Sequence, residues 1–297
     1  MNFILANLSP AKHVLVTGGA SFIGSHIIER LTAAGHEITA TILNKKMSAR
    51  KNVKVKKINL ADSGELDTIR DIDLIVHCAA SLPLDGIGQK DFTTNNVHAT
   101  QNVLNFANDN KVKKIVMFSS MSIYGKVDVE MVDHTTSPKS PDPYGLSKLS
   151  AEQIVSTYQK NVSCIALRLP GVLGKGAHHA FLPAALKRIK KNLPVTISNP
   201  DSPFNNLAHV EDLSRFVLHL ISSEWSGFHA MPIASVEHTS PRRAIEIMAK
   251  ACGQNSNLKI IPSDDQPFCI DDSKARSMGY QSQNTEEIIR RFAAEAN

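Results

Sequence analysis

Apolar positions early in the chain fall into short unbroken runs, and later ones recur at three-and-four spacing. Residues 13–16, His-Val-Leu-Val, read as a short buried strand running straight into Thr17-Gly18-Gly19-Ala20-Ser21-Phe22-Ile23-Gly24, with an amphipathic helix over 25–34. Runs rich in β-formers follow at 37–43, 53–58 and 73–77, each separated by helix or loop segments. That alternation predicts an α/β fold with a parallel sheet. The stretch from Pro138 to Pro143 reads as a loop, and Asp142 and Pro143 as the N-cap and first residue of the helix after it. Further on, Val210, Leu213, Phe216, Val217 and Leu220 mark a helix within 209–223. Ser240-Pro241 opens another, ending near Gly253, and Thr285 opens a last amphipathic helix. No internal repeat or low-complexity segment interrupts the pattern.

Two polar positions on the helix after Pro143 carry candidate chemistry. Tyr144 and Lys148 stand four residues apart, so one helical turn places them on the same face. A free phenol titrates near pH ~10, and a lysine charge ~4 Å away at an effective dielectric of ~20 is worth roughly 4 kcal/mol, about three pKa units. Tyr144 is therefore expected to exchange protons near neutral pH, helped by the positive end of the helix dipole. Tyr-x-x-x-Lys alone is a pattern that many solvated helices satisfy. Its context is what gives it weight: the glycine turn lets backbone approach a pyrophosphate and aims unpaired helix N–H groups at it.

With the glycine turn, the Tyr144/Lys148 pair and Ser119-Ser120-Met121-Ser122-Ile123-Tyr124-Gly125 in order, the chain resembles the extended short-chain dehydrogenase/reductase family, the NAD(P)-dependent epimerase/dehydratase group, over nearly its whole length. Further landmarks are His77-Cys78-Ala79-Ala80-Ser81, Asn96-Val97-His98-Ala99-Thr100 opening a helix, Arg168-Leu169-Pro170-Gly171, His209-Val210-Glu211-Asp212 and Asp271-Asp272-Ser273-Lys274-Ala275-Arg276. The resemblance implies a Rossmann-type doubly wound parallel sheet in residues 1–170, with 205–233 packing back onto it, and a smaller substrate-binding lobe in 171–297. It implies Tyr144 as general acid/base and Lys148 as the group that lowers its pKa and bonds the nicotinamide ribose. Ser120 would polarise the substrate oxygen, with Asn96 in support. The dinucleotide would also touch Gly18, Ser21, Phe22, Ile23, Gly24, Asn44, Lys45, Asn59, Leu60, Ala79, Ala80, Asn96, Tyr144 and Pro170. Substrate contacts are expected from Ser81, Ser122, Gly171, His179, Asn205 and Asn206.

Cofactor choice turns on the end of the second strand, where NAD-preferring relatives carry an acid. Here Ile42-Leu43-Asn44 is followed by Lys45, Lys46 and Arg50, so NADP is slightly favoured over NAD. Ser21 replaces the middle glycine of the turn, and Asn59-Leu60 stands where relatives commonly have an acidic residue and a leucine near the adenine. Relatives that dehydrate sugars have an Asp-Glu pair just after the serine position; Met121 and Ser122 hold those places, which leaves hydride transfer without elimination. A nucleotide sugar is the first substrate class, handled by a 4-epimerase or 4-ketoreductase. An NADPH-dependent ketone or aldehyde reductase for a small metabolite is the alternative, and a dinucleotide-binding sensor without catalysis the third reading. Family habit suggests a homodimer through helices near 96–108 and 144–159.

Composition changes little. The 297 residues, 42% hydrophobic, suffice for one large core and a smaller lobe. A formal charge of +5 and a pI near 9.0 come from scattered basic residues with no interleaved aromatic platform, so nucleic acid is not expected. No apolar run reaches the ~18 residues of a membrane span, and Phe3-Ile4-Leu5 lacks the flanks of a signal peptide. The cytoplasm is the expected location. Cys78, Cys164, Cys252 and Cys269 are too scattered for a metal or disulfide framework, and His178-His179 makes no zinc site by itself, so no metal is expected.

Overall fold

The computed structural model describes residues 10–62 and 64–296, so the apolar cluster at Phe3, Ile4 and Leu5 lies outside the described residues. The first half alternates strand and helix: β1 (His13–Thr17), α1 (Phe22–Ala33), β2 (Glu37–Ile42), β3 (Val53–Lys57), β4 (Leu74–His77), the short α2 (Gln89–Phe92), α3 (Ala99–Asp109), β5 (Lys114–Ser120), β6 (Met131–Val132), α4 (Pro143–Thr157) and β7 (Ser163–Leu169). The rest comprises β8 (Gly171–Leu173), α5 (Phe181–Lys190), β9 (Val195–Ile197), β10 (Leu207–His209), α6 (Val210–Ser222), β11 (Phe228–Pro232), α7 (Pro241–Ala251), β12 (Leu258–Ile260), β13 (Cys269–Ile270), α8 (Ser273–Ser277) and α9 (Thr285–Glu295).

Seven strands form the central sheet of the described residues in the order β11-β7-β5-β4-β1-β2-β3, every neighbouring pair parallel. Such strands are covered on both faces, and Val14, Leu15 and Val16 are accordingly fully buried. One face packs on α1 and α6 through Ile27, Ile28, Leu31, Leu213, Phe216 and Val217. The other packs on α3 and α4 through Val103, Leu104, Ala151 and Val155. A separate apolar cluster joins α5, α7 and α9 through Leu186, Ile189, Ile245, Met248, Ile289 and Phe292. The return of α6 to the sheet is pinned to α1 by Glu211, whose carboxylate takes hydrogen bonds from Arg30 Nη2 at 2.7 Å and His26 Nδ1 at 3.0 Å.

Strand order reverses between β1 and β4, and the carboxyl ends of those two strands open a crevice there, the place where doubly wound sheets bind ligands. Local departures from the expected elements cluster at this crevice. Helix α1 begins at Phe22, earlier than expected, because Ser21 caps it: the Ser21 Oγ accepts a hydrogen bond from the Gly24 N–H at 3.0 Å. Strand β2 stops at Ile42, and Leu43 turns outward with 45% of its surface exposed. Asn96 does not open a helix; it lies inside a π-helical turn, Thr93–His98, that leads continuously into α3. Single π turns of this kind often mark functional sites. No helix among the described residues is long and apolar enough to cross a membrane.

Candidate active site

The crevice deepens into a cavity of about 660 Å³, within the range of small-molecule and cofactor sites. Its inner end is built from the glycine turn. Gly18 takes φ +65°, and a Cβ there would come within 2.8 Å of the Ala79 backbone, so only glycine lets the end of β1 pass this close to the end of β4. Gly18, Ser21, Phe22 and Ile23 line the cavity, as do Asn44 and Lys45 beyond β2, Asn59 and Leu60 beyond β3, Ala79 and Ala80 beyond β4, and Pro170 beyond β7. Gly24 stands behind this wall; a Cβ on it would press on the Ser21 Oγ at 2.9 Å. The serine at the middle glycine position thus serves as a helix cap within the turn. The Asn59 amide is engaged locally, donating to Asp62 Oδ2 at 2.8 Å.

Helix α4 brings Tyr144 and Lys148 to the same cavity, opposite Ser120 at the end of β5. Asp142 caps the helix through its carboxylate, which accepts from the Gly145 N–H at 2.6 Å, with Pro143 in the first turn. Gly145 itself was not singled out from sequence, yet a Cβ there would lie 2.7 Å from the Ser122 carbonyl carbon. Its missing side chain lets the start of α4 seat on the turn that carries Ser120. A glycine beside a tyrosine inside a helical pattern was the available signal. The phenol ring also meets Phe92 edge to face, centroids 5.6 Å apart.

The electrostatics correct the expected pKa of Tyr144. Burial dominates and holds the phenol above its ordinary value; the Ser120 hydroxyl pulls it down and Asp142 pushes it up. The same burial lowers Lys148 to about 8, against the charge of Glu152 that raises it. Both groups sit in a dry wall, and desolvation penalises the charged form of each. Glu152, one turn beyond Lys148 and also missed by sequence reasoning, is buried and takes a two-pronged hydrogen bond from Arg168 at 2.8 and 3.2 Å. Arg168 Nη1 in turn donates to the Tyr124 hydroxyl at 2.8 Å.

Asn96 lies behind the cavity wall, where its role is to position. Its Oδ1 accepts from the Ser81 N–H at 2.7 Å, and its Nδ2 donates to the Ser81 carbonyl at 3.1 Å and to Ser147 Oγ at 3.0 Å. Ser147 Oγ donates to the Tyr144 carbonyl at 2.7 Å. The Asn96 carbonyl accepts from Thr100 Oγ1 at 2.6 Å, and Thr100 Oγ1 meets His77 Nε2 at 3.0 Å. Since the Thr100 proton is spent on that carbonyl, His77 Nε2 carries the ring proton, and Nδ1 accepts from Thr17 Oγ1 at 2.7 Å. Burial and the Lys148 charge push His77 down to about 3, which keeps the ring neutral. A continuous chain of hydrogen bonds therefore joins the end of β1 to the helix bearing Tyr144.

Ser81, Gly171 and His179 line the cavity, but three other expected substrate contacts do not. Ser122 supports Ser120: its N–H donates to Ser120 Oγ at 3.1 Å. Asn205 is buried, and its amide is consumed by the carbonyls of Ser235 and Ile270, at 3.1 and 2.8 Å, and the N–H of Ile270, at 2.9 Å. Asn206 is half-buried and outside the cavity lining. Position beside a motif did not reveal that the chain turns these side chains inward. No group of three or more histidine, cysteine or acidic side chains among the described residues is placed to hold a metal.

A model of the NAD dependent epimerase/dehydratase family matches residues 14–232. The chain belongs to that family. Among relatives, it is 27% identical over 232 residues to the dTDP-D-glucose 4,6-dehydratase of Dictyostelium discoideum, covering 68% of this chain and 54% of the relative. It is 26% identical over 281 residues to the dTDP-4-dehydro-6-deoxy-D-allose reductase of a Streptomyces species, covering 85% of each. The chain spans about half the length of the first curated relatives it matches. The Thermus thermophilus UDP-glucose 4-epimerase, solved in complex with NAD, superposes with a TM-score of 0.79 at 25% identity over 95% of this chain and 98% of that one. This epimerase/dehydratase family member therefore has relatives that are enzymes and a structural neighbour that holds NAD.

Proposed function

We propose that this protein is an NAD(P)-dependent enzyme that moves a hydride at a carbinol or keto carbon of a nucleotide sugar, as a 4-epimerase or a 4-ketoreductase. The observation that carries the reading is the convergence of Ser120, Tyr144 and Lys148 with the glycine turn on one cavity. The residues present fit a dinucleotide. Backbone at Gly18 and the start of α1 suits a pyrophosphate, and Ser119 Oγ, in the cavity wall, is buried with no protein partner. When bound, the nicotinamide supplies the acceptor or donor of the hydride. Tyr144 gives a proton to, or takes one from, the substrate oxygen, and its raised pKa suits the giving direction. Ser120 donates a hydrogen bond where negative charge develops, and the Lys148 ammonium stabilises the phenolate left behind. Among the described residues no Asp or Glu lines the cavity, so none of them is placed there to catalyse elimination of water.

We propose the finer assignments as well. NADP is favoured over NAD, since Lys45 lines the cavity beyond β2 and no acid does. Residues 1–170 with 205–233 serve the cofactor and 171–297 mainly the substrate. Two copies pair through the outer faces of α3 and α4, and the protein works in the cytoplasm, where Cys78, Cys164 and Cys269 stay reduced.

The test is an assay against UDP-, GDP-, CDP- and dTDP-sugars and their 4-keto forms, with and without NADPH. Isomer exchange without net change in nicotinamide absorbance identifies an epimerase, and stoichiometric loss of NADPH a reductase. If no nucleotide sugar is bound or turned over at millimolar concentration, this substrate class is lost.

A further inference from the structure

Between β8 and α5 the chain presents a histidine pair that no step of the proposed chemistry uses. His178 and His179 both line the cavity, their ring centroids 4.0 Å apart. The loop is anchored on both sides. His26 Nε2 of α1 donates to the Lys175 carbonyl at 3.0 Å, and His178 Nδ1 donates to the Gly176 carbonyl at 2.8 Å, which leaves the Nε2 edge of His178 without a partner in that loop. Ala180, the next residue, takes φ +82°, a conformation L side chains rarely adopt, and strain of this kind persists where surrounding structure demands it.

The charges around the pair are one-sided. Among the described residues no Asp, Glu or Arg lines the cavity; the lysines and histidines there are Lys45, Lys148, His178 and His179. Lys148 stands one turn from Tyr144 on α4, with Glu152 as its neighbouring charge. His179 is held below its ordinary value by burial first, then by His178 beside it, Lys45 beyond β2 and Lys187 in α5. The loop thus sets two imidazoles in contact, with Lys45 and Lys187 near His179 and no acid among the described residues of the cavity wall.

We propose that His178 and His179 form, with Lys45, a clamp for a phosphate group, carried either on the adenosine ribose of the cofactor or in the diphosphate of the substrate. The proposal rests on the reading that the cavity takes a dinucleotide and a nucleotide sugar. It assigns to the loop after β8 the anion recognition for which the cavity wall offers no arginine. An imidazolium offers a charge-assisted hydrogen bond to a phosphate oxygen, and a neutral ring with its Nδ1 proton already spent offers only an acceptor.

The clamp is tested by titrating the wild-type protein and the double variant His178→Ala/His179→Ala with NAD, NADP and UDP, following binding by calorimetry. Both side chains are exposed, and NAD binding reports that the variant is folded. Loss of about tenfold in affinity is expected for at least one phosphate-bearing probe. A loss for NADP that NAD does not share assigns the clamp to the ribose phosphate, and a loss for UDP assigns it to the substrate diphosphate. Wild-type affinity for that probe should fall, relative to that of the variant, as pH rises from 6 to 8. Equal affinities of wild type and variant for NADP and for UDP, with NAD still bound, overturn the clamp. Failure of wild-type protein to bind NAD at all overturns the dinucleotide reading instead.

Discussion

The two ends of the cavity are made differently. The inner end rests on backbone: the Gly18 turn pressed against Ala79, the Ser21 cap on α1 and the carboxyl ends of fully buried strands. The outer end rests on side chains carried by loops, with Leu82, Leu84 and Ile87 exposed at 37–45% and the His178/His179 pair also in the lining. A backbone site needs particular residues only where a side chain would not fit, so its signature survives as glycines at set spacing. A side-chain site can be rebuilt with other residues on the same frame, so resemblance says least about it.

That contrast predicts effects of very different size. In the proposed chemistry Tyr144→Phe removes the proton that moves, and turnover should fall by roughly 10²–10⁴-fold with dinucleotide affinity nearly intact. Retention of a tenth of wild-type rate would remove Tyr144 from the chemistry. Glu152→Ala leaves Arg168 buried without its counter-charge and should cost roughly 3–5 kcal/mol in denaturant unfolding. A loss under 1 kcal/mol would mean the pair is not a strut of α4.

Smaller effects sharpen the outer end. Asn205→Ala should cost about 1–3 kcal/mol of stability by orphaning the Ile270 N–H, with KM unchanged. A raised KM at unchanged stability would restore Asn205 to the substrate site. Lys148 makes stability and activity diverge with pH. Its folded pKa of about 8 lies below the ordinary lysine value, so between these two the unfolded chain binds more protons, and the contribution of Lys148 to stability rises with pH. The ammonium itself is lost over the same window, so turnover should fall above pH 8. A flat rate from pH 7 to 10 would dissociate Lys148 from catalysis. The smallest effect is Lys45→Glu, expected to weaken NADP a few-fold relative to NAD in a binding titration.

Much of the site was legible before folding because its spacing is local. Tyr144 and Lys148 are one turn apart on α4, and the glycine turn is contiguous with the strand and helix that use it. Glu152 and Arg168 were not legible as a pair, since their contact joins a helix to a strand. Asn205 was misread for the same reason: an asparagine near a motif can face a ligand or stitch together segments 30 and 65 residues away.

By itself the sequence determined the early alternation of strands and helices, the glycine turn and the helix that carries Tyr144 and Lys148, because periodicity, caps and steric exclusion act over a few residues. Only the tertiary structure decided the direction in which each of the two shifts. Burial raises Tyr144 and lowers Lys148, and burial depends on what packs around them. It also decided that Asn96 and His77 are braces in one hydrogen-bonded chain while His179 faces the cavity. Whether a polar side chain meets protein or solvent is settled by chain segments remote in sequence.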